Sequence, residues 1–167
     1  KKNSTGQFEE VNKIQASDKD AGDSFGWSVS ISGDYAISGA YNDEDGGSQT
    51  GSAYIFRKNS TGQFEEVNKI QQSQNQTGDN FGYSVSISGD HAIVGIRSED
   101  AGATDRGAAY VFKKNSTGQF VEVNRLVGGD DDVADQFGLA VAISGDYAGV
   151  SAPDDLFGVD KSGASYI

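Results

Sequence analysis

Apolar and polar residues alternate along the stretch from Phe25 to Ile31: Phe25, Trp27, Val29 and Ile31 fall on one side, Gly26, Ser28 and Ser30 on the other. A period of two belongs to a strand with one face buried. Ser32-Gly33-Asp34 then supplies a tight turn, in which glycine accepts positive φ and aspartate tolerates it. Tyr35 to Ala40 reads as the returning strand, Tyr41 to Gly51 as a polar, acidic loop, and Ser52 to Arg57 as a third strand. A second turn, Lys-Asn-Ser-Thr-Gly, leads into a fourth strand at Gln63–Gln71. The two glutamates of that segment favour helix by propensity, but its Val and Phe and its place after three strands favour an outer-edge strand. No stretch reads as a helix of useful length.

The same pattern returns twice. Phe25, Phe81 and Phe137 recur at one constant 56-residue interval, as do Asp34, Asp90 and Asp146, then Gly51, Gly107 and Gly163, then Tyr54, Tyr110 and Tyr166. Lys2 to Gln15 recurs unchanged at Lys58 to Gln71, and with substitutions at Lys114 to Val127. Four short antiparallel strands in a unit of this length form a β-propeller blade. A β-solenoid is the competing architecture; it usually has shorter periods and lacks this succession of hairpins. The expected fold is all-β, one propeller segment over residues 1–167, with blades at about 25–71, 81–127 and 137–167. The last blade is one strand short, and residues 7–15 read as that strand, supplied by this chain or by a partner. Because propeller rings typically contain at least four blades, the expected assembly is half of a six-bladed ring completed by a second chain, a homodimer. A beginning at Lys-Lys-Asn-Ser-Thr-Gly reads as a processed chain or an excised segment.

The Phe-Gly pair at 25, 81 and 137, the hairpin after it, the elements Gly39–Tyr41, Gly95–Arg97 and Ser151–Pro153, and Gly51-Ser-Ala-Tyr-Ile-Phe56 together resemble FG-GAP repeats, the blades of integrin-α-like β-propellers. The resemblance covers essentially the whole chain. It implies an extracellular or cell-surface module for recognition or adhesion. It also implies, in many blades, a calcium loop between the FG and GAP strands. Here only Ser-Gly-Asp occupies that place, too short to wrap a cation with six or more oxygens. Calcium therefore enters the reading only through other acidic loops. Asp43, Glu44 and Asp45 are the candidate ligands, and 130–132 and 154, 155 and 160 are further clusters. Solvated loops are the plainer reading of all three, and no cofactor is required.

Composition narrows the partners. Thirteen basic against 25 acidic residues give a net charge of -12, which weighs against nucleic acid and anionic membranes. No apolar run approaches the roughly 18–20 residues that span a bilayer. The absence of cysteine excludes disulfide scaffolds, thiolate metal sites and cysteine nucleophiles. His91, the one histidine, occupies the place of Tyr35 and Tyr147 and reads as an aromatic substitute rather than a base. No nucleophile–base set recurs, so the chain is read as non-enzymatic, binding protein or glycan. A self-assembling ring or fibre built by strand exchange is the alternative, and a polysaccharide-acting enzyme a more distant one.

The loops that differ most among the copies are 41–50, 97–106 and 153–162, and variable loops on a constant scaffold are where recognition is placed. Tyr41, Asp43, Arg97, Asp105, Asp154 and Asp155 are the candidate ligand-binding residues. Trp27, Tyr83 and Leu139 occupy one repeat position on the face shared with Val29. They are expected to pack blade on blade, with sugar stacking on Trp27 as the functional alternative. Asn3, Asn59 and Asn115 (Asn-Ser-Thr) and Asn75 (Asn-Gln-Thr) fit the glycosylation acceptor. The same residues also populate turns for conformational reasons.

Overall fold

A computed structural model describes residues 1–45, 47–74, 77–99, 106–129, 135–157 and 160–167. Asn75, Asp105 and the acidic run 130–132 lie outside them. The described residues form strands and no helix. Blade 1 is a four-stranded antiparallel sheet of β1 (Ser28–Ser32), β2 (Tyr35–Ala40), β3 (Ser52–Lys58) and β4 (Phe64–Ile70), in that order. Blade 2 repeats it with β5 (Ser84–Ser88), β6 (His91–Ile96), β7 (Ala108–Lys114) and β8 (Phe120–Leu126). In blade 3, β9 (Val141–Ser144), β10 (Tyr147–Ala152) and β13 (Ala164–Tyr166) make a three-stranded sheet. A small hairpin of β11 (Leu156–Phe157) and β12 (Asp160–Lys161) occupies its long loop.

Local chemistry sets these elements. Ser32 pairs with Tyr35, so Gly33-Asp34 is a two-residue turn, and φ of 58°, 57° and 57° at Gly33, Gly89 and Gly145 shows why glycine stands there each time. In the Asn-Ser-Thr turns the Asn side chain makes the bend. Asn59 Oδ1 accepts from Thr61 N (3.0 Å), Thr61 Oγ1 (2.7 Å) and Gln63 N (3.0 Å), and Asn3 and Asn115 repeat the arrangement. Those asparagines are conformational residues whatever else they carry.

Blades stack with a fixed sense. The serine face of β1 looks toward β5: Ser30 Oγ accepts from Ile87 N at 3.2 Å, Ser32 Oγ from Gly89 N at 3.3 Å, and Ser28 Oγ donates to Gly82 O at 2.8 Å. Ser84, Ser86 and Ser88 make the same three bonds to blade 3. The apolar face of each first strand looks back at the preceding blade. Val85 and Ile87 are accordingly buried in a core shared with Ile37, Ala53 and Ile55 of blade 1. Backbone meets backbone at the junction, where Phe81 N donates to Thr50 O at 2.9 Å and Gly82 lies beside Gly39.

Three expectations change. β1 starts at Ser28 rather than Phe25, because positive φ at Ser24 (59°) and Gly26 (88°) bends the chain, and the Phe25 ring packs on Tyr54 and Phe56 instead. Residues 7–15 do not form a ladder. Phe8 makes one bridge, to Lys2, and among the described residues no strand pairs with the segment. Completion of blade 3 by this chain's own start is not observed, since residues 12–18 lie against blade 1.

Candidate recognition surface

Each variable loop leaves the second strand of a blade and returns at the third, and each is anchored by one buried acid. Asp43, Glu99 and Asp155 occupy the same repeat position, and all three are buried. A tyrosine from the third strand meets each: Tyr54 donates to Asp43 at 2.5 Å, Tyr110 to Glu99 at 2.9 Å and Tyr166 to Asp155 at 2.5 Å. A cation from the outer strand completes the first two. Lys69 Nζ lies 3.0 Å from Asp43, 2.8 Å from Asp18 and 2.6 Å from Asp45. Arg125 Nε donates to Glu99 at 3.0 Å. The longer acid in blade 2 is matched to a larger base.

Burial works to raise the Asp18 and Asp43 carboxyls. Hydrogen bonds from Lys69 and Tyr54, with backbone donors, outweigh it and hold both below the usual carboxylate range. Burial likewise works against the Lys69 ammonium, but Asp18 and Asp45 push its pKa up. Burial and the adjoining acids push both tyrosine hydroxyls up, so they act as donors only. Oxygens of Asp18, Asp43 and Asp45 lie within 4.8 Å of one another, the arrangement a cation would need. The Lys69 ammonium already stands among them. Glu44, the remaining candidate ligand, is exposed and outside this group.

Above the first anchor lies an aromatic patch. Trp27 and Tyr41 of blade 1 have ring centroids 4.8 Å apart, and each lies 5.6 Å from Tyr83 of blade 2. The Arg97 guanidinium sits 5.5 Å from the Tyr83 centroid. Trp27 is 53% exposed and Arg97 is exposed. Trp27 therefore does not turn with Val29 toward the preceding blade. Its ring crosses to the following one, and only part of it is covered.

Two of the sequence candidates, Tyr41 and Arg97, thus meet on one surface although a full repeat separates them. Asp43 and Asp155 point inward as loop anchors, and Asp154 accepts from Gln136 Nε2 at 2.6 Å. His91 pairs with Ser88 and Lys113 at the start of β6, the place Tyr35 holds in blade 1. Sequence reasoning missed Asp18, Lys69 and Arg125. A base at one fixed offset from each anchoring acid, Lys69 from Asp43 and Arg125 from Glu99, was a signal in the repeat register.

The model of the FG-GAP repeat matches residues 8–56, 64–112 and 120–167. The chain belongs to the FG-GAP repeat family. Each matched FG-GAP unit opens at a phenylalanine (Phe8, Phe64, Phe120); in the second and third units that residue begins the outer strand of one blade and the match runs on through the three inner strands of the next, so the repeat straddles two blades. Curated proteins yield no match to this chain. Among the described residues no helix is long and apolar enough to cross a membrane.

Proposed function

We propose that this FG-GAP chain is a non-enzymatic recognition module of the extracellular space or cell surface, holding protein or glycan ligands on the patch of Trp27, Tyr41, Tyr83 and Arg97. The observation that carries the reading is the half-open Trp27 ring with a guanidinium beside its neighbour. An aromatic face gives area at low entropic cost, and Arg adds directed donors. The net charge of -12 disfavours sulfated or phosphorylated ligands and favours an uncharged sugar. Buried Asp43 and Glu99, each bonded to a tyrosine, tether the chain two residues on from Tyr41 and Arg97, which lowers the ordering cost on binding.

Trp27 is the only tryptophan of the chain, so its fluorescence reports on this patch alone. Titration with neutral oligosaccharides should shift the emission. Tyr83→Ala or Arg97→Ala should weaken binding about tenfold, equivalent to ~1.4 kcal/mol, with thermal stability nearly unchanged. Emission that stays constant across a broad sugar panel, with protein pull-downs indifferent to exchange of residues 41–50, would sink the reading.

A further inference from the structure

We propose that Asn115 is an acceptor for an N-linked oligosaccharide, carried on the end of blade 2 away from the recognition loops. The inference rests on the extracellular reading above, since glycosyl transfer to this motif belongs to secreted chains. The transfer needs a carboxamide nitrogen and a hydroxyl two residues further on, here Asn115 and Thr117. The donor is a lipid-linked oligosaccharyl diphosphate, and the catalyst a transferase of the secretory membrane. Asn115 Nδ2 bonds to the anomeric carbon as the bond from that carbon to the diphosphate oxygen breaks. The diphosphate leaves with the electron pair, and one Nδ2 proton passes to a base of the transferase.

The first ground is the turn that holds Asn115. Gly118 N donates to Asn115 O at 3.0 Å, which closes a β-turn with Asn115 first and Gly118, at φ +86°, last. Asn115 Oδ1 accepts from Thr117 Oγ1 at 2.7 Å, Thr117 N at 3.0 Å and Gln119 N at 3.0 Å. The carboxamide is planar, so fixing its oxygen inside the turn leaves the nitrogen on the far side. Asn115, Ser116 and Thr117 are all exposed. That exposure belongs to the turn itself. In the copy at Asn59, which two further repeats follow, Ser60 and Thr61 are exposed as well.

The second ground is what sets Asn115 apart from its copies. Asn59 Nδ2 donates to Glu65 Oε1 at 2.7 Å, and Asn3 Nδ2 to Glu9 Oε1 at 2.6 Å. Blade 2 has Val121 at that place, with no acceptor to offer, and every described bond of the Asn115 side chain runs through Oδ1. A sugar on Asn59 breaks a hydrogen bond of the fold, whereas a sugar on Asn115 breaks none. Asn115 is accordingly exposed, and Asn59 and Asn3 are half-buried. Val121 is itself 45% exposed and offers methyl groups on which the C–H face of a first sugar can rest. The third ground is position. Lys114 N donates to Asp90 O at 2.8 Å, so the turn of Asn115 shares one end of the blade with the β5–β6 turn. Arg97 leaves β6 at the other end. The seven residues of β7 lie between, a length of about 20 Å. An oligosaccharide there leaves the aromatic patch uncovered.

The test is secretion of the full chain from eukaryotic cells behind a cleavable leader, followed by peptide mass mapping before and after enzymatic release of N-glycans. The peptide holding Asn115 should carry an oligosaccharide, and release should convert that asparagine to aspartate. Ser116→Pro should abolish the modification, because the motif excludes proline at its middle position. Proline also suits the second place of this turn, so the variant should fold, as circular dichroism would show. The glycosylated chain and the same chain made in bacteria should melt within about 2 °C of each other, since no bond of the fold is lost. Three results would each overturn the proposal: a bare Asn115 in the secreted chain, an oligosaccharide that persists there in Ser116→Pro, or a glycan that lowers the melting point by more than that margin. Titration of Trp27 fluorescence with sugars on the same preparations separates the two readings. A bare Asn115 in a chain that binds sugars strikes this inference alone, and a glycosylated chain that binds nothing strikes the recognition reading alone.

Discussion

Gly39→Ala should destabilise the chain by on the order of 3 kcal/mol or more, among the largest effects a single methyl group produces. A Cβ at Gly39 would lie 2.0 Å from Gly82 O and 2.4 Å from Ser28 Oγ. Gly82 cannot yield, because its own Cβ position is 2.3 Å from Ser52 O and its φ is +90°. The methyl therefore fits only if blades 1 and 2 part, breaking the hydrogen bond from Ser28 to Gly82 and uncovering Val85 and Ile87. Gly39 does not have positive φ, so this cost isolates close approach from backbone strain. Gly33→Ala is the matching control. That turn has φ +58° with open space around it, and the loss should be about 1 kcal/mol. Urea midpoints at constant m-value measure both. Gly95→Ala, whose Cβ would lie 2.1 Å from Gly138 O, should repeat the large loss at the second junction. A Gly39→Ala chain within ~1 kcal/mol of its parent would show that the blades slide more freely than this packing allows.

The second large effect belongs to Lys69. Lys69→Met keeps the length of the stem and removes the ammonium from Asp18, Asp43 and Asp45. Stranding a buried acid is costly, up to ~3–5 kcal/mol when both partners are fully buried. Lys69 retains 22% side-chain exposure and Asp45 53%, so about 2 kcal/mol at pH 7 is the expected loss. Its dependence on pH identifies the cause. In the parent, Asp18 and Asp43 have carboxyl pKa values depressed below their unfolded values. Their stabilisation is present above about pH 4 and is lost as pH falls through the folded values. Lys69 and Tyr54 are displaced upward, so their contribution is complete below about pH 10 and fades above it. In Lys69→Met the crowded carboxyls gain protons more readily on folding than off it. The variant should therefore recover toward the parent as pH drops below 4. A loss that stayed constant from pH 3 to pH 7 would point to packing of the lysine stem instead.

Much of the fold was legible because the physics repeats. Alternation at 25–31, glycine in three Ser-Gly-Asp turns and the constant 56-residue interval each named the same strands. Boundaries were less legible. Phe25 fits the alternation, yet positive φ at Ser24 and Gly26 takes it out of β1, and nothing in the apolar pattern encodes that bend. Residues 7–15 carry the sequence of β4 but not its ladder, because a strand is a property of two segments and no described strand lies beside them. The acids at 43, 99 and 155 looked like variable-loop residues, while the invariant tyrosines they bind lay 11 positions on in the third strands. Asp18 had no signal at all, since its copy in the next repeat is Gln74. The Trp27 patch could not be seen because side-chain alternation assigns a face, while the ring is long enough to leave it.

The orientation of the serine and apolar faces has an evolutionary consequence. Blades 1 and 2 offer three hydroxyls to the blade after them and present methyl groups to the one before, so either of these two copies can follow the other without a newly invented contact; blade 3 keeps Ser144 but has Ala140 and Ala142 at the other two places. Unequal recombination can then lengthen or shorten the gene by whole multiples of 168 nucleotides, three for each residue of the interval, and leave the junctions between units of the first two types matched. Verbatim duplicates such as Lys2–Gln15 and Lys58–Gln71 are what such a history leaves behind.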